Sequence, residues 1–126
     1  GDPRSALVDA AGPGEPTAPG VLIVRVSAPL FFANSAEVVD AIKALITAQT
    51  TPVRHLILDL ESVTDIDVTA ADAIDQLRAW LRGHEVELAY SRVRHPLLAR
   101  MRALRILSDE PVHPTNRAAL DAVTGS

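Results

Sequence analysis

Residues 55–74 read HLILDLESVTDIDVTAADAI, and the pattern changes character twice within them. His55 to Leu60 is apolar at Leu56, Ile57, Leu58 and Leu60, the composition of a strand buried on both faces. Glu61 to Val68 is polar and acidic and predicts a loop. Beyond it Ala73, Ile74, Leu77, Trp80 and Leu81 recur at helical spacing, predicting a helix over about 70–82 that Gly83 closes. A buried strand feeding a helix through a short loop is the repeating unit of an α/β fold.

The flanking sequence extends the same alternation. Upstream, Val21 to Val26 is an apolar, β-branched run interrupted only by Arg25, hence a strand, and Leu30-Phe31-Phe32 could add a short one beside it. Asn34 with Glu37 three residues later predicts a helix start, and Val38, Val39, Ile42, Leu45 and Ile46 mark that helix's inner face as far as Thr50-Thr51-Pro52. Downstream, Val86 to Tyr90 reads as a strand and Pro96 to Leu104 as a helix anchored by Leu97, Leu98, Met101 and Leu104. Pro111-Val112-His113 reads as a brief edge strand, and Thr115 as the N-cap of a last helix through Ala118, Leu120 and Val123. Four or five strands and about four helices in alternation predict a mostly parallel central sheet with helical cover. Residues 1–19 hold four prolines and most of the remaining glycine, and read as a flexible leader in which only Ala6-Leu7-Val8 could dock; the domain proper spans 20–124.

Composition narrows the function. The chain has 126 residues, 48% of them hydrophobic and 22% charged, with a net charge of −4, which suits a single domain with a real core. That balance, with only two Phe, one Tyr and one Trp, argues against a nucleic-acid partner. The absence of cysteine excludes disulfides, thiolate metal sites and a cysteine nucleophile. The longest stretch without a charge, Val26 to Ala36, is far shorter than the roughly 20 apolar residues a spanning helix needs, so no membrane span is expected here. No GxGxxG, P-loop or GxSxG pattern occurs, and His55, His84, His95 and His113 lack metal-ligand spacing. Neither a catalytic residue nor a metal ligand is assigned, and the chain is not expected to be an enzyme.

Two charge runs stand out. Between Leu56 and Leu77 lie Asp59, Glu61, Asp65, Asp67, Asp72 and Asp75 and no base. Asp65 to Thr69 matches in form the DxDxT signature of haloacid-dehalogenase-type phosphotransferases, but Ser62-Val63-Thr64 before it is loop where that chemistry needs a strand, and the one lysine, Lys43, sits mid-helix. Acids gathered near a helix N-terminus, where the dipole favours them, account for most of the run. Between Leu88 and Leu107 lie Arg92, Arg94, Arg100, Arg102, Arg105 and His95 and no acid, a segment suited to solvent, phosphate, an acidic protein surface or anionic lipid.

Residues 55–74 resemble the strand–loop–helix signature of STAS domains, the module shared by anti-sigma factor antagonists and SulP anion permeases. The segment from Gly20 to Asn34, GVLIVRVSAPLFFAN, is similar to the SulP branch in particular. The resemblance covers about residues 18–124. It implies the STAS fold, a regulatory or interaction role as the C-terminal domain of a sulfate or anion transporter on the cytoplasmic side of the membrane, and that transporter's transmembrane domain as partner. It also implies weak binding of GDP or GTP at the helix opening after the acidic loop, with no cofactor required. Candidate contacts are Asp67, Thr69, Ala70 and Ala71 there, with Phe32, Ala33 and Asn34 of the neighbouring loop. Other protein partners would meet the Asp65–Thr69 loop and the helix behind it. The alternative is a stand-alone anti-sigma factor antagonist switched by phosphorylation, for which Thr69 holds the matching hydroxyl. Val68 and Ala70 depart from that branch's usual Ser and Gly. Thr69 would otherwise cap the helix, with Asp72 completing a T-x-x-D box.

Overall fold

Strand β2 (Val21–Val26) enters from a tight turn at Gly20, whose φ of 78° is a left-handed conformation that favours glycine. The Gly20 carbonyl accepts from the amides of Arg54 (2.7 Å) and His55 (3.0 Å), which locks the start of β2 to the start of β3 (His55–Asp59). The computed structural model describes residues 8–10, 18–27 and 35–125. The other elements are β1 (Val8–Ala10), α1 (Ser35–Thr47), α2 (Val68–Gly83), β4 (Glu87–Ser91), α3 (His95–Ala103), β5 (Val112–His113) and α4 (Asn116–Thr124). They form one sheet in the order β1-β2-β3-β4-β5, with β1 antiparallel to β2 and every other pairing parallel.

Alternation along the strands sorts the core onto two faces. Leu22, Val24 and Val26 of β2, Leu56 and Leu58 of β3, and Leu88 and Tyr90 of β4 pack against Val38, Ile42 and Ile46 of α1, Ile74 and Leu77 of α2, and Met101 of α3. Each such side chain contributes about 1.5–3 kcal/mol by leaving water. The opposite face carries Ile23, Ile57 and Ala89 under Ala119 of α4. Both faces of the central strands are therefore covered, which is why β4 is buried continuously from Leu88 to Ser91.

Several expectations shift. Val8–Ala10, inside the stretch read as a leader, is a strand: Val8 is 3% exposed and pairs with Val26. Helix α2 starts two residues early, and Gly83 is its last residue rather than its left-handed terminator. That place is taken by Glu85 (φ 58°), with Val86 N–H reaching back to the Leu81 carbonyl at 2.9 Å. Arg105 (φ 58°) ends α3 in the same way, with Ile106 N–H bonded to the Met101 carbonyl at 2.8 Å. Leu98 and Leu104 are only partly buried, so Leu97 and Met101 anchor α3. The chain between α3 and β5 is fastened to α2 by Arg78, which donates to Glu110 through Nε (3.2 Å) and Nη2 (2.8 Å) and to the Ile106 carbonyl. Thr115 caps α4 as expected, accepting from Ala118 N–H at 3.0 Å. The Leu30–Phe32 strand and the Asn34 cap lie outside the described residues.

Candidate functional site

The parallel register brings together what the sequence keeps apart. Arg25, Asp59, Ser91 and His113 occupy one row across β2, β3, β4 and β5, and Asp9 of β1 continues it, so a polar row crosses the whole sheet near the C-terminal ends of the parallel strands. At its centre Asp59 is 1% exposed. Its Oδ1 accepts from Glu61 N–H at 3.0 Å; its Oδ2 accepts from Arg92 Nε (3.0 Å), Arg92 Nη2 (2.5 Å) and Asn116 Nδ2 (3.1 Å), and Arg25 Nε stands 3.8 Å away. Burial pushes the Asp59 carboxyl up, but the donors from Arg92, Glu61 and Asn116 together outweigh it and hold the group below the usual carboxylate range. Ser91 Oγ donates to Asn116 Oδ1, which closes the network onto α4. Arg92 reaches Asp59 from a left-handed backbone position (φ 53°) held by its N–H on the His113 carbonyl at 3.0 Å.

The loop from Leu60 to Asp67 is built on this anchor. Leu60, Val63 and Ile66 turn inward and are buried, while Glu61, Ser62, Thr64 and Asp65 stay in solvent. Glu61 pairs with Arg92 at 3.1 Å. At the far end of the loop Arg100 Nε donates to the Ile66 carbonyl at 3.1 Å and lies 3.7 Å from Asp65 Oδ1. The acidic run and the basic run thus face each other across the ends of neighbouring strands. In the sequence they are two separate runs. The available signal was that both follow adjacent parallel strands, whose outgoing loops must be neighbours.

Asp67, not Thr69, caps α2. Its Oδ1 accepts from Ala70 N–H at 3.1 Å, and its backbone is extended (φ −111°, ψ 177°). A carboxylate suits this place better than a hydroxyl because it also faces the positive end of the helix dipole. The Ala70 amide is consequently already bonded to Asp67 through both its carboxylate and its carbonyl. Thr69 is the second helical residue and half-buried, and with Asp72 it lines a groove of about 180 Å³ between α1 and α2, opposite Ser35, Asp40 and Lys43. Ala71 packs on the core. Phe32, Ala33 and Asn34 lie outside the described residues, and Ser35, the next in the chain, sits in the same groove as Thr69. Val68, between the cap and Thr69, is 67% exposed, an apolar side chain of that size left in solvent at a rigid helix entrance. Among the described residues no three His, Cys, Asp or Glu are grouped to hold a metal ion, and no helix is long and apolar enough to cross a membrane.

Helices α1–α3 cover one face of a mostly parallel sheet, and the anchored loop leads into α2 at one exposed apolar residue set among acids. The chain belongs to the STAS domain family, whose model matches residues 15–119. A probable sulfate transporter of Mycobacterium tuberculosis is 34% identical over 89 residues, a match covering 71% of this chain and 16% of that protein. Murine Solute Carrier 26 family member A9, an anion transporter solved in the inward-facing state, contains the same fold (TM-score 0.76, 19% identity, 88% of this chain and 19% of that one). The unphosphorylated anti-sigma factor antagonist SpoIIAA is similar over nearly its full length (TM-score 0.71, 13% identity, 94% of this chain and 97% of that one). The chain spans between 12% and 16% of the length of the curated relatives it matches, all of them sulfate transporters by name.

Proposed function

We propose that this chain is the regulatory STAS domain of a membrane protein that transports sulfate or a related anion, lies on the cytoplasmic side, and acts by contact rather than by catalysis. The transporter relatives at 34% identity support this over a stand-alone antagonist, to which the likeness is one of fold. The observation that carries contact as the mode of action is Val68. An exposed apolar residue costs solubility without helping the core, and here it opens α2 directly after a loop fixed at both ends by Arg92 and Arg100, with Asp65, Asp67 and Asp72 near it in the chain. A partner surface with a small apolar recess rimmed by basic groups is complementary to it, and such a contact weakens as ionic strength rises.

The experiment replaces Val68 with Glu in the full-length transporter. The side chain leaves no cavity, so the domain's own stability should move by no more than about 0.5 kcal/mol. Transport at matched expression should fall several-fold; unchanged transport would place the contact elsewhere. The gene upstream of Gly1 tests the transporter assignment separately. A series of apolar segments of about 20 residues each supports it, and a start codon there overturns it.

A guanine nucleotide is the small ligand we assign to the same end of the sheet. The groove between Ser35 and Thr69 adjoins the α2 N-terminus, whose dipole favours an anion, but Asp67 already occupies the Ala70 amide and the neighbouring acids repel phosphate. Binding is therefore weak or assisted by Mg²⁺.

A further inference from the structure

The arginines between Leu88 and Leu107 fall into two sets. Arg92 and Arg100 are turned toward Asp59, Glu61, Asp65 and the Ile66 carbonyl. Arg94, Arg102 and Arg105 are exposed, and their guanidinium groups form no ion pair or hydrogen bond among the described residues. At about 100° per residue, Arg94, half-buried Leu98, Arg102 and exposed His95 fall within roughly 100° of arc on α3. Leu97 and Met101 face the core, and Arg100 projects from the other flank, toward the acidic loop. Arg105 extends the set past the helix end. The result is a convex strip of unneutralised positive charge on a chain whose net charge is −4.

We propose that this strip lands on anionic lipid headgroups. The assignment rests on the transporter reading above, which holds the domain beside a membrane. A convex strip suits an extended charged surface better than a small anion, and the grooves between α1 and α2, beside β1 and β2, and between α2 and β4 contain none of these arginines. Guanidinium groups hydrogen-bond phosphate oxygens in pairs, and Leu98 gives the strip a short apolar contact at headgroup depth.

The test mixes this chain with phosphatidylcholine vesicles made with and without phosphatidylglycerol and measures co-sedimentation. The chain should bind only the anionic vesicles and be released as ionic strength rises. Each guanidinium is worth about fivefold, so the triple variant Arg94→Ala, Arg102→Ala, Arg105→Ala should bind roughly a hundredfold more weakly. A control carrying Arg82→Ala and Arg117→Ala, exposed arginines of α2 and α4, should bind as well as wild type. Equal binding to both vesicle types, an unaffected triple variant, or a control that falls as far overturns the proposal. Retention by a soluble polyanion as strong as by vesicles also overturns it, in favour of an acidic macromolecular partner. Failure here leaves the transporter reading standing. Vesicle binding by a chain whose gene lacks upstream membrane segments breaks that reading and not this one.

Discussion

Replacing Asp59 with asparagine removes one charge and almost no volume, so its cost measures the buried network alone. Both carboxylate oxygens act only as acceptors, Oδ1 from Glu61 N–H and Oδ2 from Arg92 and Asn116. Whichever way the new amide is turned, its NH₂ meets a donor. Breaking a buried ion pair from one side costs about 3–5 kcal/mol. Arg92 is 27% exposed and keeps Glu61, which places the expected loss at the lower end, about 3 kcal/mol, or roughly 10–15 °C in Tm for a domain of this size. Urea unfolding should show a lower midpoint at unchanged m. The pH dependence has a definite sign. The folded carboxyl sits below its usual range, so its stabilisation is complete above the unfolded value of about 3.9 and is lost as pH falls through the lower folded value. The gap between wild type and Asp59→Asn should be constant above about pH 5 and close on further acidification. A loss under about 1 kcal/mol, or a gap indifferent to acid, would refute the argument that this network holds the loop.

Asp67→Ala should destabilise the domain by about 1 kcal/mol through loss of the α2 cap, whereas Thr69→Ala should cost under about 0.5 kcal/mol; the reverse order in urea titrations would restore Thr69 as the cap. Titrating millimolar GDP or GTP into labelled protein should shift amide resonances at 31–36 and 67–73 and leave β5 untouched. No change at either segment would remove the nucleotide from the site.

How far the sequence could be read depends on how local each cause is. Val21–Val26 and His55–Asp59 are strands because of their own composition, and Thr115 caps α4 through an amide three residues away, so all three could be read directly. Val8–Ala10 could not: three residues pair only because Val26 is waiting in register, and nothing near Val8 says so. At the entrance of α2 two capping residue types stand two apart, and spacing alone does not choose between them. The choice falls to the packing of Ile66, which sets where the helix must begin. The role of Asp59 was hidden for a related reason. In sequence it is one acid among six, and only the register with Ser91 and the turn at Arg92 separate it from its exposed neighbours. Thr69, Ala70 and Ala71 lie at the helix end where the spacing puts them, but nothing local marks Val68 as the most exposed side chain there, because its exposure follows from where α2 begins.

Strand β1 has a mechanical consequence. It runs antiparallel to its neighbour, so the chain meets the sheet at Val8, opposite Val26, and travels away from the Val68 end toward Ala10. The polypeptide therefore arrives at the same end of the domain that carries the exposed loop. Tension applied ahead of Val8 would load the ladder there first and unzip it residue by residue, while leaving the four parallel strands intact.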